Sequence, residues 1–334
     1  MKKQGKRTVI FEKPPIILSN AAVVGPKEAE GPLKDSFDFK FEDSMMGEKS
    51  WEKAESRLQT TAVELALTKA NINAKDIDVI FAGDLLNQCI ASAFGIRDLQ
   101  IPFIGLYGAC STMALSLINA AVHVEANAAN NVIAVTSSHF CSAERQYRFP
   151  LEYGGVRPQT SQWTVTGSGA AILSKEGTGP IIKAYTVGKI VDLGITDANN
   201  MGAAMAPAAA DTIKSYLEDT NTNPNDYDMI FTGDLGQVGS DLLYELFERD
   251  NIDLKGYHKD CGNMIFDAKK QDVHAGGSGC GCSASVLCSE ILNEMRNGQM
   301  KNIIFCATGA LMSPTSSQQG ESIPSIAHLV NIAI

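Results

Sequence analysis

One strand-and-turn segment occurs twice in this chain. Residues 78–85 read DVIFAGDL and residues 228–235 read DMIFTGDL, so a short apolar strand runs into a Gly-Asp turn at two places 150 positions apart. Flanking polar residues repeat with the same spacing: Asn71, Asn73, Asp76 and Asp78 correspond to Asn221, Asn223, Asp226 and Asp228. In solenoid proteins the structural unit repeats roughly every 20 to 50 residues. A period of 150 instead indicates two similar α/β halves.

Two further blocks extend the repeat along the chain. CSTMALSL (110–117) corresponds to CSASVLCS (282–289), and NNVIAVTSS (130–138) corresponds to KNIIFCATG (301–309), at offsets of 172 and 171. The second half therefore carries an insertion of about twenty residues. The repeated strands are almost wholly apolar, as strands covered by helices on both faces must be. We predict mostly parallel sheets with helices outside and between them, divided into halves 1–178 and 179–334.

Residues 140–170 do not follow this helix-and-strand pattern. The segment reads FCSAERQYRFPLEYGGVRPQTSQWTVTGSGA. Long irregular loops in compact α/β proteins usually cover a site. We therefore expect 140–170 to form a covering loop.

Composition narrows the class of protein. The chain has 334 residues, 44% of them hydrophobic, and a formal net charge of −10. That charge argues against a nucleic-acid binder, because neutralising phosphates requires clustered Lys and Arg. Eight cysteines are scattered along the chain, and the apolar stretch after MKKQGKR is too short for a signal peptide. The longest uncharged run (103–124) contains Gly, Ser, Thr and Asn, so we expect no membrane span and a reduced, cytoplasmic environment.

Cys110 is the strongest candidate for chemistry. The apolar strand IPFIGLYG ends at Gly108, and a helix is predicted to begin at the Cys-Ser-Thr that follows. A helix N-terminus favours the thiolate form, which attacks acyl carbonyls. The alternative is a structural role, because most buried cysteines behave as small hydrophobic residues.

The arrangement of two βαβαβαββ-like halves, with GACST at the start of the buried helix, resembles the thiolase and ketoacyl-synthase superfamily. The resemblance implies a layered α-β-α-β-α fold, with Cys110 at the position of the superfamily's nucleophile. Several stretches are more specifically similar to the stage V sporulation protein AD family of spore-forming bacteria: AGDLLNQ (82–88), TSSHFCSAERQYRFPLEYGG (136–155), VTGSGA (165–170), DLGITD (192–197), MGAAMAPAAADTI (201–213), AGGSGCGCSA (275–284) and ATGALMSPTS (307–316).

The superfamily's proton-transfer partners are not all present. A thiolase uses a histidine in a Gly-His-Pro motif, and residues 273–277 match this motif only at the histidine. It also uses a cysteine late in the chain, for which Cys306 is the candidate. An initiating ketoacyl synthase would place its histidine near Asp234 and its asparagine near Cys280. The resemblance thus implies a retained pocket with condensing chemistry lost. An acyltransferase that uses Cys110 as its nucleophile is the alternative.

The resemblance to the sporulation family also implies a ligand. Members are implicated in placing dipicolinic acid, a pyridine dicarboxylate, into the developing spore together with proteins of the spore inner membrane. A small dianion is bound by arginines, hydroxyls and backbone NH groups. The resulting candidate ligand-binding residues are Asp84, Asn87, Cys110, Ser137, Ser138, His139, Arg145, Arg148, His274 and Gly276.

Some of these candidates have alternatives. Arg145, Arg148 and Arg157 could equally anchor a surface loop, and His274 could be an ordinary loop residue. Asp84 is preferred to Asp234 as a pocket residue, because it lies in the half that carries Cys110. Asp84 would repel a bare dianion unless it is protonated, paired with a cation, or bridged to the ligand by Ca²⁺.

We expect no resident metal or cofactor. The Cys-x-Cys of GSGCGCS lacks a second cysteine pair, and the glycines nearby lack a Walker lysine. The resemblance implies a homodimer, and a cytoplasmic protein associated peripherally with the spore inner membrane. The expected partners are dipicolinic acid or its calcium chelate and the proteins of the uptake complex.

Overall fold

The computed structural model describes residues 1–147 and 156–334. Its strands are β1 (Lys2–Gln4), β2 (Thr8–Ile10), β3 (Ile16–Val24), β4 (Phe39–Lys40), β5 (Val79–Gly83), β6 (Phe103–Gly105), β7 (Asn131–Ser138), β8 (Trp163–Thr164), β9 (Gly167–Ser174), β10 (Ile181–Thr186), β11 (Met229–Thr232), β12 (His258–Asp260), β13 (Gly277–Ser278), β14 (Asn302–Ala310) and β15 (Ser325–Ala333). Its α-helices are α1 (Trp51–Ala70), α2 (Ile90–Ile96), α3 (Thr112–Glu125), α4 (Phe140–Tyr147), α5 (Met201–Thr220), α6 (Gly236–Glu248), α7 (Cys261–Ile265), α8 (Cys280–Val286), α9 (Leu292–Arg296) and α10 (Pro314–Gln318).

Shorter helical segments complete the described elements. A π-helical segment, Leu287–Ile291, joins α8 to α9. The 3₁₀ turns are Glu28–Glu30, Ala74–Asp76, Asn87–Cys89, Arg97–Leu99, Pro224–Asp226 and Lys255–Tyr257.

The repeated polar residues make the same local bonds in both halves. Helices α1 and α5 both end at an asparagine in the left-handed conformation, Asn71 at φ 55° and Asn221 at φ 53°. Asparagine tolerates this conformation at a helix C-terminus better than most residues do. The following Asn and Asp of each copy form a capping box around a 3₁₀ turn. The aspartates that open the quoted stretches, Asp78 and Asp228, each accept two backbone NH bonds from the start of a neighbouring strand.

Strand order within the sheet repeats as well. One group runs β12-β11-β14-β15-β10 and the other runs β3-β9-β7-β5-β6, and the two groups join at the single pair Ile181–Ile16. In each group the strand next to the outer edge lies parallel to both of its neighbours, β5 to β6 and β7 in the first half, and β11 to β12 and β14 in the second. The remaining strands of each group pair antiparallel. The predicted duplicated α/β architecture is therefore confirmed.

Helices lie outside and between the two strand groups. The core between them contains α3 and the α8–α9 helix, packed on inward-facing side chains such as Phe81 and Phe305. The opposite faces of the same strands, at Ile80 and Ile304, are covered by α1 and by α5 with α6. Alternate residues of these strands thus enter different cores, which explains why the strands are apolar throughout. The arrangement is the predicted α-β-α-β-α layering.

The expectation of an irregular segment at 140–170 was wrong for its two ends. Residues 140–147 form α4, whereas Gly167–Ser174 forms β9, which pairs antiparallel with both β3 and β7. The small residues of GSGAAILS resemble a loop in composition, but they suit a strand on which other backbone segments pack closely. Residues 148–155 lie outside the described residues. The boundary at 178 stays a prediction; it falls between β9 and β10.

The extra residues of the second half lie mainly between β12 and α8. This stretch contains α7 and leads to β13, which pairs in parallel with β8 from the first half. The pairing places Thr164 opposite Ser278. Within the described ranges, no helix combines the length and the apolar character needed to cross a membrane.

Candidate functional site

Cys110 lies on a tight turn between β6 and α3. Ala109 adopts the left-handed conformation at φ 50°, and the Ser111 hydroxyl donates to the Gly108 carbonyl at 2.6 Å. From the other half, Gly309 of β14 packs against this turn. A Cβ at Gly309 would lie 2.4 Å from the Gly108 carbonyl oxygen and 3.2 Å from the Cys110 nitrogen. Both halves therefore fix the position of the thiol.

The Cys110 thiol lies against the carboxylate of Asp234. Burial and the negative charge of Asp234 raise the pKa of Cys110 well above its usual range. The expectation of a thiolate at this helix N-terminus was therefore wrong, because these two effects outweigh the helix dipole. Cys110 is a neutral thiol beside this carboxylate.

Asp234 is itself held in place by three donors. It accepts hydrogen bonds from the Thr308 hydroxyl at 2.7 Å, the Gly279 NH at 2.8 Å and the Ser278 hydroxyl at 3.1 Å. Its side chain is completely buried, and this burial raises the pKa of Asp234. An aspartate in this position orients the thiol but is a poor base for it, since a second negative charge beside Asp234 is disfavoured.

A cavity opens over Cys110. It offers about 60 Å³ to the centres of water molecules, enough for a few waters. Its wall combines hydroxyl, thiol and carboxyl groups with aliphatic and thioether surface from both halves: Leu85, Tyr107, Ala109, Cys110, Ala143, Glu144, Tyr147, Thr164, Met201, Met205, Ser278, Ala310 and Met312. Among the described residues that line it there is no Lys, Arg or His.

None of the five histidines, all within the described part of the chain, lines this cavity. His139 is fully buried; its Nε2 bonds the Ser44 carbonyl at 2.7 Å and its Nδ1 accepts the Cys141 NH. Burial lowers the pKa of His139, so it stays neutral. His274 lies 3.1 Å from Asp272 in a pair near the surface. The cavity thus contains a thiol without an imidazole base.

Comparison with known proteins now identifies the family. A family model described as stage V sporulation protein AD matches residues 5–333. The stage V sporulation protein AD of Bacillus subtilis strain 168 is 47% identical over 328 residues, which cover 98% of this chain and 97% of that protein. The chain belongs to the stage V sporulation protein AD family. The resemblance predicted from sequence is confirmed.

Solved structures show the fold of this family member. The 3-oxoacyl-[acyl-carrier-protein] synthase III of Aquifex aeolicus VF5 matches 96% of this chain and 100% of its own, with a TM-score of 0.58 at 12% identity. Cerulenin-bound OleA of Xanthomonas campestris matches 98% of both chains, with a TM-score of 0.60 at 14% identity. These matches confirm the thiolase-like fold. At such identities they concern the fold alone.

The structure separates the repeat-related aspartates of this sporulation protein. Asp84, the preferred pocket candidate, is buried and turns toward the start of α2. It accepts bonds from the Leu86 NH at 2.8 Å and from the NH and hydroxyl of Ser92 at 2.8 and 2.6 Å. Asp234, which was not among the candidates, lies against the thiol instead. The two differ because the α8 N-terminus and β14 surround Asp234.

Ser137 and Ser138 lie beneath the start of α8 and do not line the cavity. The Ser138 hydroxyl donates to the Val165 carbonyl at 2.6 Å and accepts the Gly281 NH at 3.1 Å. The Ser137 carbonyl accepts a hydrogen bond from the Cys280 thiol at 2.9 Å. These serines connect the two halves of the protein around the helix start.

The cationic candidates lie elsewhere. Arg145 pairs with Glu52 and bounds a separate surface cavity that also includes Asn87. Arg157 pairs with Asp272 at 3.0 Å and stacks on Trp163. Arg148 lies outside the described residues.

Two more candidates lie away from the thiol. Gly276 adopts φ 110° and lies close to Gly262. Cys306 is buried on the face of β14 that packs toward α5, away from Cys110. Of the predicted site residues in the described part of the chain, Cys110 is the one that lines the cavity that opens over its thiol.

Sequence reasoning missed several residues of the cavity wall. Ser278 stands in the quoted GSGCGCS stretch, and Tyr107 precedes the Gly-Ala-Cys motif, so both had a visible signal. Glu144 and Tyr147 were hidden in a segment expected to be irregular. In the described ranges, no group of three or more His, Cys, Asp and Glu side chains is placed to hold a metal ion.

Proposed function

We propose that this sporulation protein is a non-catalytic small-molecule binder. Its ligand is dipicolinic acid or the calcium chelate of that acid, bound in the Cys110 cavity for uptake into the developing spore. One observation carries the non-catalytic part: the thiol is buried against Asp234, in a cavity whose described wall has no histidine. A thiol held neutral without a proton acceptor is a poor nucleophile.

The cavity wall supports a small, ring-shaped ligand with its charge neutralised. Thr164 and Tyr107 offer hydroxyl groups to carboxylate oxygens, whereas the hydroxyl protons of Tyr147 and Ser278 are used in bonds to Leu85 and Asp234. The wall also carries Glu144, and Asp234 lies directly behind the thiol. A dicarboxylate meets less repulsion from these carboxyl groups when Ca²⁺ is bound to it. The calcium chelate is therefore the favoured form of the ligand.

Isothermal titration tests this proposal. Dipicolinate is titrated with and without Ca²⁺, beside pyridine-2-carboxylate, which lacks the second carboxylate. We expect tighter binding with Ca²⁺ and weaker binding of the monocarboxylate. Ala310→Leu fills the cavity and should abolish binding, whereas Ala128→Leu, at an exposed position, should not. No heat with either form of dipicolinate at millimolar concentration would reject the proposal.

An acyltransferase is the competing function, because Cys110 occupies the start of the buried helix in a fold shared with condensing enzymes. Incubation with acyl-CoA or acyl-carrier protein, followed by intact-mass measurement, separates the two. We expect no adduct. An acyl adduct on the unmodified protein that disappears in Cys110→Ala would support the acyltransferase and overturn the non-catalytic function.

A homodimer is the second part of the proposal. Strand β6 has one strand neighbour in the described sheet, and its residues are all exposed. Phe103 and Ile104 of this strand and Phe94 of the adjacent α2 are 39%, 41% and 49% exposed. A second copy paired along β6 would cover this edge, which otherwise favours aggregation. Sedimentation should give a dimer, and Ile104→Glu should give a monomer while Leu193→Glu, elsewhere on the surface, should not.

Peripheral association with proteins of the spore inner membrane completes the proposal. It rests on membership of the sporulation family. Fractionation of spores should recover the protein with the inner membrane and release it when the other proteins of the complex are deleted. Recovery in the soluble fraction of otherwise unmodified spores would contradict it.

A further inference from the structure

Two tyrosines stand between the Cys110 cavity and a larger outer cavity. The outer cavity offers about 370 Å³ to the centres of water molecules, against about 60 Å³ for the inner one. Its wall comes from the loop before α2 and from the start of α10, and it shares Tyr107, Tyr147 and Met312 with the inner cavity. A molecule that comes through the outer cavity therefore meets these three side chains before it reaches the thiol.

The two phenol groups are hydrogen-bonded to each other. Their oxygens lie 3.2 Å apart, and the Tyr147 hydroxyl also donates to the Leu85 carbonyl. Since the single proton of Tyr147 is used in that bond, Tyr107 is the donor between the phenols. Tyr147 stands at the end of α4, whereas Tyr107 stands on the turn before Cys110 and is 46% exposed. Tyr147 thus makes two of these hydrogen bonds and Tyr107 one, so we expect Tyr107 to be the ring that rotates.

We propose that the Tyr107–Tyr147 pair is a gate that sets the size of the molecules that reach Cys110 and the rate at which they do so. Opening needs one neutral hydrogen bond to break and one partly exposed ring to rotate. The closed pair admits small planar molecules and excludes bulky ones. The inference rests on the proposed function only for the identity of the ligand that passes the gate.

Alkylation of Cys110 measures the gate without any ligand. The probes are iodoacetamide, which is small, and fluorescein maleimide, which is bulky, applied at alkaline pH because the thiol is buried. Peptide mass measurement follows each cysteine separately. Cys89 lines the outer cavity and is the internal reference, because it lies on the other side of the tyrosines from Cys110. Cys141, which lines neither of the two cavities, reports general loosening of α4.

Tyr107→Phe removes the hydrogen bond and keeps the ring. We expect iodoacetamide to modify Cys110 about 2- to 10-fold faster in this variant, the factor that corresponds to one neutral hydrogen bond. Tyr147→Phe removes the same bond from the other side, so the double variant should show less than the product of the two single effects. Tyr107→Ala removes the ring and should let the maleimide react at Cys110. Reaction at Cys89 should not change in Tyr107→Phe or Tyr147→Phe, which keep both rings in the wall of the outer cavity.

Three results would overturn the gate. The first is an unchanged rate at Cys110 in both Tyr107→Phe and Tyr107→Ala. The second is a rise at Cys89 and Cys141 that parallels the rise at Cys110, which would indicate general unfolding. The third is maleimide reacting at Cys110 as readily as iodoacetamide in the unmodified protein. If dipicolinate fails to bind while the alkylation rates change as expected, the proposed ligand is wrong and the gate stands.

Discussion

Replacing Asp234 by asparagine tests whether the carboxylate keeps Cys110 neutral. Asp234 accepts three hydrogen bonds, from the Thr308 and Ser278 hydroxyls and the Gly279 NH, and lies beside the Cys110 thiol. Asparagine keeps one acceptor oxygen but points an NH₂ group at donors. One buried mismatch of this kind costs about 1–3 kcal/mol. The free energy of unfolding of Asp234→Asn should fall by that amount.

The reactivity of the Cys110 thiol should rise in Asp234→Asn even though the stability falls. Because a neighbouring negative charge disfavours thiolate, removing it lowers the pKa of Cys110. Each unit by which the pKa falls gives about ten times more thiolate at a fixed pH below the pKa. The pH profile of Cys110 alkylation, followed by peptide mass, should therefore shift to lower pH in Asp234→Asn.

Asp84→Asn is the matched control. Asp84 also accepts three hydrogen bonds inside the protein, from the Leu86 NH and from the NH and hydroxyl of Ser92, so its loss should destabilise the protein to a similar extent. It should leave the alkylation profile of Cys110 where it is. An equal shift of the alkylation profile in both variants, or no shift in Asp234→Asn, would refute the conclusion that the charge of Asp234 keeps Cys110 neutral.

Three further outcomes follow from the structure. In thermal melts, Gly309→Ala should lower the stability by about 1–3 kcal/mol, because its Cβ would meet the backbone of the Cys110 turn. Gly256→Ala is the control and should leave the stability unchanged, because the space around Gly256 is open. Burial raises the pKa of Glu28 to about 7, so its contribution to stability is present below the pKa of the unfolded chain and is lost as pH rises through 7. Relative to the unmodified protein, the free energy of unfolding of Glu28→Gln should therefore rise by about 2–3 kcal/mol between pH 5 and 8, as measured by chemical denaturation. A pH-independent difference would contradict this. Asn71→Ala and Asn221→Ala should each cost about 1–2 kcal/mol at their left-handed positions, and replacement by Gly should restore it; unequal effects would show that the repeats are not energetically equivalent.

The sequence predicted the duplicated fold because its signals are local. Asn221 ends a helix, Asp226 caps the next turn, and Asp228 binds the start of the adjacent strand, each within a few residues or one strand of its own position. The strand, glycine and cysteine order that placed Cys110 at a helix start is local in the same sense. Such signals survive in one sequence without knowledge of the tertiary contacts.

The remainder of the site could not be predicted because it depends on contacts between the halves. Asp84 and Asp234 follow nearly identical strands, and the sequence difference on which Asp84 was preferred, its place in the half that carries Cys110, does not decide which aspartate meets the thiol. What distinguishes them is the segment across from each: the NH groups at α2 for Asp84, and Gly279 with Thr308 for Asp234. Tyr147 joins the site only because α4 packs over the Cys110 turn.

The duplication places a cysteine at each of two repeat-related positions, Cys110 and Cys282. Cys110 lies against Asp234 of the other half and borders the cavity, whereas Cys282 is completely buried in the core between the two strand groups. Cys280, two residues before Cys282, is also completely buried, and its thiol donates to the Ser137 carbonyl. Cys280 is consequently inaccessible, whereas Cys110 retains 9% exposure toward the cavity. The two halves have the same strand order, and the surroundings of the two repeat-related cysteines decide which of them a ligand can reach.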